Sequence, residues 1–261
     1  MTKNDYLQKL WATVSQGWHE DEKANMLFNF DYNSTEYKGV FGLKNYVDWQ
    51  VHYNEEDNTV YVLFQKTGGT RDWFTNFAFT KKYYDSFDTA FGKITLRVHH
   101  GWANQYKAVK HLIRNAVSDI VDYKNVTKVV VTGWSLGSSL AQLCAQDLRY
   151  NFGDKITISL YTFGSVNPFR TNIFNRKKTL QYLRSCCNDI GVYKDINDMV
   201  AYVVPTWMGF RAIYENWVSY EADKKVTLKR FFEPMTYHTH YGKTQLIDDI
   251  IVSKREKNER Y

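Results

Sequence analysis

Proline is nearly missing from this chain: only Pro168, Pro205 and Pro234 occur in 261 residues. No Gly/Ser-rich or Pro-rich run reads as a linker, and no internal repeat or low-complexity block appears. A single domain over residues 1–261 is therefore expected, with 1–55 a weakly assigned N-terminal extension. Cysteine is equally scarce. Cys144 stands alone and Cys186 and Cys187 are neighbours, an odd set that excludes a disulfide framework. A chain of this length can bury about 70–75% of its unfolded surface without such staples. No apolar run reaches the length of a membrane-spanning helix. The first 22 residues mix charges with isolated apolar side chains and lack the apolar core of a secretory signal. These features predict a cytoplasmic protein, one that would act outside a cell only after lysis or by a route the sequence does not show.

A formal net charge of +6 and an isoelectric point near 9.0 raise the question of an anionic partner. The excess is scattered, and its one modest cluster, Ser253-Lys254-Arg255-Glu256-Lys257, is interrupted by acid. Nucleic-acid binding is not expected. Aromatic residues are abundant at 17%, twenty of them tyrosine. They suit cores and half-buried rims, and also transient contact with a lipid surface.

The apolar pattern predicts a buried strand over residues 59–64 and an alternating one over 94–98. From Trp102, the positions Tyr106, Val109, Ile113, Ala116, Val117 and Ile120 recur at helical spacing. A strand over 128–132, a helix over 138–150 and a strand from 156 to 163 follow. Then come a helix over 172–186 and a short strand over 192–196. Strands alternating with helices of this length imply an α/β fold with a mostly parallel sheet flanked by helices and right-handed crossovers. The aromatic-rich stretch 207–233 carries no clear period.

Within that alternation lies Gly133-Trp134-Ser135-Leu136-Gly137. A G-x-S-x-G match arises by chance in about one chain in ten of this length, so the pentapeptide alone says little. Its setting says more. Val129-Val130-Val131 precedes it, and Leu140, Ala141, Cys144, Ala145 and Leu148 fall on one helical face behind it. A strand–turn–helix of this kind lifts a serine clear of the backbone and aims a helix N-terminus at the place where an oxyanion would form.

A serine nucleophile needs a base and a group to orient it. In the chain order Ser, Asp, His, only His238 and His240 follow Ser135 among seven histidines. In an extended segment the two point the same way, so spacing does not separate them. As a zinc pair they lack a thiol or acid neighbour, so neither a metal nor a cofactor is expected. Asp189, Asp195 and Asp198 are in range for the orienting acid. Asp198, just beyond the predicted strand, is mildly preferred.

Together these segments resemble the class 3, or fungal-type, lipases of the α/β-hydrolase fold over roughly residues 55 to 245. The carrying motifs are Val129 to Ala141, Tyr161-Thr162-Phe163-Gly164, Asn197-Asp198-Met199-Val200, and His240-Tyr241-Gly242-Lys243. The chain departs from the family where Ser165-Val166-Asn167 replaces the usual Pro-Arg pair after the glycine, and where Lys66 replaces a usual glycine. The resemblance implies a Ser135, Asp198, His240 triad, with His238 in reserve. It implies an oxyanion hole from Thr67 and Leu136, with Gly69-Thr70 in place of Thr67 in an alternative frame, and a candidate lid including Asp72, Trp73, Phe74 and Phe77. It makes His99 and His100 structural; Trp207, Met208 and Phe210 are candidates for lining an acyl pocket. The implied activity is hydrolysis of acylglycerol or related lipid esters. The alternatives are a phospholipase A-type activity or a catalytically inactive binding module on the same fold.

Overall fold

Near-continuous hydrophobic runs occur where a strand is covered on both faces, and residues 59–64 (Thr-Val-Tyr-Val-Leu-Phe) and 129–131 are such runs. In the computed structural model they lie at the centre of the main sheet. The described residues are 1–15, 26–28, 30–38, 44–65, 81–202, 204, 206–218, 237–239 and 241; the side chains of 81–84 are not among them. In chain order the strands are β1 (Asn33–Lys38), β2 (Lys44–Asn54), β3 (Thr59–Phe64), β4 (Lys81–Phe87), β5 (Ile94–His99), β6 (Lys128–Trp134), β7 (Thr157–Phe163), β8 (Phe169–Arg170), β9 (Asp189–Asp195), β10 (Phe210–Arg211) and β11 (Asn216–Val218). The helices are α1 (Lys3–Ser15), α2 (His100–Lys124), α3 (Leu136–Phe152) and α4 (Arg176–Ser185).

The main sheet has seven strands among the described residues, in the order β1-β2-β3-β6-β7-β9-β11. From β3 onward every pairing is parallel; β1 and β2 extend the sheet antiparallel. Period-two alternation sends Val60, Val62, Val129, Val131, Ile158, Leu160 and Val192 to one face. There they meet α2 and α3. Tyr61, Leu63, Val130, Tyr161, Phe163 and Tyr193 point to the other face, where Leu7, Leu10 and Val14 of α1 cover them. Burying these three α1 side chains stabilises by about 1.5–3 kcal/mol each, which holds a helix that would be marginal alone. The stretch expected as an N-terminal extension thus supplies one covering helix and two sheet strands. Its strands escaped the pattern because β2 is polar on the half of its length that reaches solvent.

The strand expected over 94–98 forms as β5, but outside the parallel sheet. It sits in a separate antiparallel sheet of order β10-β8-β5-β4. Helix α2 ends at Asn125, in the left-handed conformation with φ 52°. It is tied to α3 through Arg114 and Tyr106, which both bond the buried carboxylate of Asp147. No helix among the described residues is long and apolar enough to cross a membrane. Cys144, Cys186 and Cys187 are all free thiols.

Candidate active site

The parallel strands end together on one side of the sheet, where open α/β sheets place their ligand sites. Ser135 follows β6 there, Gly164 follows β7 and Asp198 follows β9. Ser135 adopts φ 57° and ψ −124°. The other non-glycine residues with positive φ among the described ones are Asn58 and Asn125, a type that tolerates it. For serine such a conformation costs about 1–3 kcal/mol and persists only where neighbours impose it. They do so here. Ser135 N–H donates to Phe163 O at 2.9 Å, and Ser138 bonds Ser135 O through both its N–H (3.0 Å) and its hydroxyl (2.5 Å).

The flanking glycines are required by close approach. A Cβ on Gly133 would lie 2.3 Å from Gly137 O, and one on Gly137 would lie 2.5 Å from Phe64 O. The helix therefore starts directly against the ends of β3 and β6. Leu136 is its first residue, and an amide at that position has no carbonyl within the helix to bond. The loop after β7 is held over the same helix. Gln142 of α3 donates to Ser165 Oγ at 2.9 Å, and Val166 N–H donates to Ser138 Oγ at 3.2 Å.

Asp198 is fully buried and its carboxylate accepts from three donors. His238 Nδ1 lies 2.8 Å from Oδ2, Tyr241 OH donates to the same oxygen at 2.9 Å, and Val200 N–H donates to Oδ1 at 2.8 Å. Because a carboxylate only accepts, Nδ1 carries the proton and Nε2 is left as the basic nitrogen. The Tyr241 hydroxyl also accepts from Asp195 N–H at 2.8 Å. Burial, then the negative charges of Asp198 and Asp195, push that phenol well above its ordinary range, so it stays protonated and donates.

The imidazole on Asp198 is thus that of His238, where the sequence reading named His240; His240 itself lies outside the described residues. The difference has a physical reason. An extended segment would turn residues two apart to one side, whereas Tyr237 and His238 are helical and Thr239 continues as a turn. Helical winding brings residues three apart together, so His238 and Tyr241 both face Asp198. The His238 ring stacks on Trp134 with centroids 5.0 Å apart, and Trp134 Nε1 donates to His238 O at 3.1 Å. Trp134 is the residue before Ser135. Gly164, at φ +56°, underlies the pair: a Cβ there would sit 2.7 Å from His238 Cε1 and 3.3 Å from Asp198 Oδ2.

The other candidate acids have different work. Asp189 opens β9, opposite Ser159 at the start of β7, which is the end of the sheet remote from Ser135. It bonds Tyr161 and Lys3 there. Asp195 accepts from Asn197 N–H at 2.7 Å and so shapes the turn that presents Asp198. His99 is buried with its ring 4.2 Å from Trp102, and burial pushes its pKa down to about 4, so it is neutral at pH 7. His111 is exposed. Thr67, Lys66, Gly69, Thr70 and the candidate lid residues Asp72, Trp73, Phe74 and Phe77 lie outside the described residues. Phe210 is fully buried, whereas Trp207 and Met208 line a cavity whose lining includes none of Ser135, Asp198 and His238. Among the described residues no group of three or more His, Cys, Asp or Glu side chains could hold a metal ion.

A buried lysine escaped the sequence reading. Lys194, fully enclosed on β9, bonds Asn167 Oδ1 at 2.6 Å and Glu215 Oε1 at 3.0 Å. Asn167 Nδ2 in turn donates to Val204 O at 3.0 Å, joining the loop after β7 to the segment beyond Asp198. The available signal was a lysine next to an aspartate at the apolar end of a strand. Neutral readings of such a residue place it at a solvated edge.

Residues 61–190 match the family model described as lipase (class 3). A secreted mono- and diacylglycerol lipase 1 of Fusarium solani is 30% identical over 146 residues, 55% of this chain and 41% of that protein. A lipase of Rhizomucor miehei is 30% identical over 112 residues, 42% of this chain and 29% of its own length. This chain therefore spans less than half of either relative. A solved triacylglycerol lipase, described as having a serine protease triad for its catalytic centre, superposes with a TM-score of 0.62 at 21% identity. The superposition covers 83% of this chain and 79% of that one. At that identity the likeness establishes the α/β-hydrolase fold.

Proposed function

The chain belongs to the class 3 lipase family, and from that premise we propose that it is a serine carboxylic-ester hydrolase acting on acylglycerols or related lipid esters. The observation that carries the reading is the His238–Asp198 bond of 2.8 Å, set against the strained elbow that presents Ser135. In the proposed cycle Ser135 Oγ attacks the ester carbonyl while His238 Nε2 takes its proton. Asp198 fixes the imidazole tautomer and offsets the positive charge that forms on it. The Leu136 amide, at the start of α3, is the first oxyanion donor in this reading, and Thr67, three residues beyond the end of β3 in the sequence, is proposed as the second. Each such donor lowers the barrier by about 3–4 kcal/mol. His238 then returns the proton to the departing alcohol. Water, deprotonated by the same imidazole, cleaves the acyl-enzyme and restores Ser135.

Turnover of a soluble aryl ester by the parent chain and by Ser135→Ala tests this. The substitution is expected to lower kcat by about 10⁵–10⁶-fold with the thermal unfolding transition unchanged. Equal turnover by the variant would remove Ser135 from the reaction.

A further inference from the structure

Away from the triad, the chain between β8 and α4 and the loop before β10 enclose a cavity of about 570 Å³. Its lining includes Arg97, Arg170, Arg176 and Arg211, and no aspartate or glutamate. Four arginines from four different elements line this one hollow; Arg211 also donates to Thr206 O and Phe210 O, and Arg170 lies over the Phe210 ring. Helix α4, whose N-terminus opens there, begins Arg176-Lys177-Lys178 and has no acidic residue in its first turn. Helix N-termini ordinarily favour acids, because the backbone N–H groups already give that end a positive potential. Here the cations add to that potential, so the site concentrates positive charge.

The rim is apolar. Phe174 is 91% exposed, Ile173 86% and Trp207 84%, so three of the most exposed large hydrophobic side chains among the described residues stand around this cavity. Large side chains left in water beside a cationic hollow match the two layers of a lipid interface, acyl chains for the rim and charged headgroups for the arginines. A freely dissolved anion would account for the charge but not for the rim.

We propose that this cavity is a docking site for an anionic lipid surface: its arginines take phosphate-bearing headgroups while Ile173, Phe174 and Trp207 enter the acyl layer. The site sets where the protein sits and does not require the hydrolase reading. The test is accordingly made with Ser135→Ala protein, so that failure to dock and failure to hydrolyse are read separately. In flotation, that protein is expected to rise with phosphatidylcholine vesicles containing phosphatidylglycerol, and only weakly with phosphatidylcholine alone. Arg170→Gln and Arg176→Gln should each weaken partition to the anionic vesicles about fivefold, the effect of removing one cation at such a surface. Ile173→Ser with Phe174→Ser should weaken it as well. Lys128→Gln, at the start of β6 in the main sheet and outside the cavity lining, should not. Arg176 lies at the start of a surface helix, so its variant answers even where Arg170→Gln, whose guanidinium covers the Phe210 ring, fails to fold. Equal binding to both kinds of vesicle would overturn the proposal, as would parent-like binding by Arg176→Gln. Displacement from vesicles by millimolar inorganic phosphate, but not by chloride of equal ionic strength, would mark a site for free anions and would overturn it too.

Discussion

Tyr241→Phe removes a single oxygen, and the structure says what that oxygen does. It accepts the Asp195 amide at 2.8 Å and donates to Asp198 Oδ2 at 2.9 Å, within a wholly buried cluster. Without it, a buried backbone N–H has lost its acceptor, which costs about 1–3 kcal/mol, and the carboxylate has lost one of three donors. Together the loss is on the order of 2–4 kcal/mol, which lowers Tm by about 5–10 °C in a domain of this size. Asp198 retains His238 and Val200, so the imidazole is still held but less firmly. A fall in kcat of about tenfold is expected, with KM for a small soluble ester nearly unchanged, since in the proposed mechanism the hydroxyl positions Asp198 rather than touching substrate. Calorimetry and steady-state ester hydrolysis on the same preparation give both numbers. A variant with parent Tm and parent kcat would refute the assignment of Tyr241 as the strut of the acid.

Two further substitutions test how the site is supported. Lys194→Met leaves Glu215 and Asn167 facing a removed cation in a buried setting and should destabilise by about 3–5 kcal/mol in urea titration. Burial alone would raise the Glu215 carboxyl, but the adjacent Lys194 holds it below its ordinary value of 4.5. A depressed carboxyl contributes stability above its unfolded pKa and loses it as pH falls through the folded value. The parent should therefore lose stability below about pH 4.5, and this acid limb should flatten in Lys194→Met. Gly137→Ala places a methyl 2.5 Å from Phe64 O, which requires α3 to move away from β3. Hydrolysis is expected to fall at least about 100-fold, because a shift of about 1 Å at a reacting group costs that much. Parent activity in that variant would show that the helix start does not shape the site.

Much of this arrangement is legible in the chain before any coordinates. The apolar runs at 60–64 and 129–131 announce strands buried on both faces, and glycines at 133 and 137 announce a backbone packed too closely for a Cβ. Such features are local, so a short window contains them. What was hidden depends on contacts between distant segments. β1 and β2 are half-exposed strands whose pattern is diluted by solvent-facing polar residues. β5 has the alternation of any strand, and only its partners reveal that it belongs to the second sheet. The choice between His238 and His240 turned on whether Tyr237-His238-Thr239 is extended or helical, and three residues carry no usable period. Lys194 is buried only because Asn167 and Glu215, 27 and 21 residues away, both come to meet it.

The most direct test of the central claim is labelling by a fluorophosphonate, followed by mass-spectrometric mapping of the modified peptide in three proteins: the parent, His238→Ala and His240→Ala. The account predicts modification on Ser135 in the parent and in His240→Ala, and a rate of labelling reduced by several orders of magnitude in His238→Ala. Labelling of Ser135 that survives loss of His238 but vanishes with loss of His240 would contradict it, as would modification at any other serine.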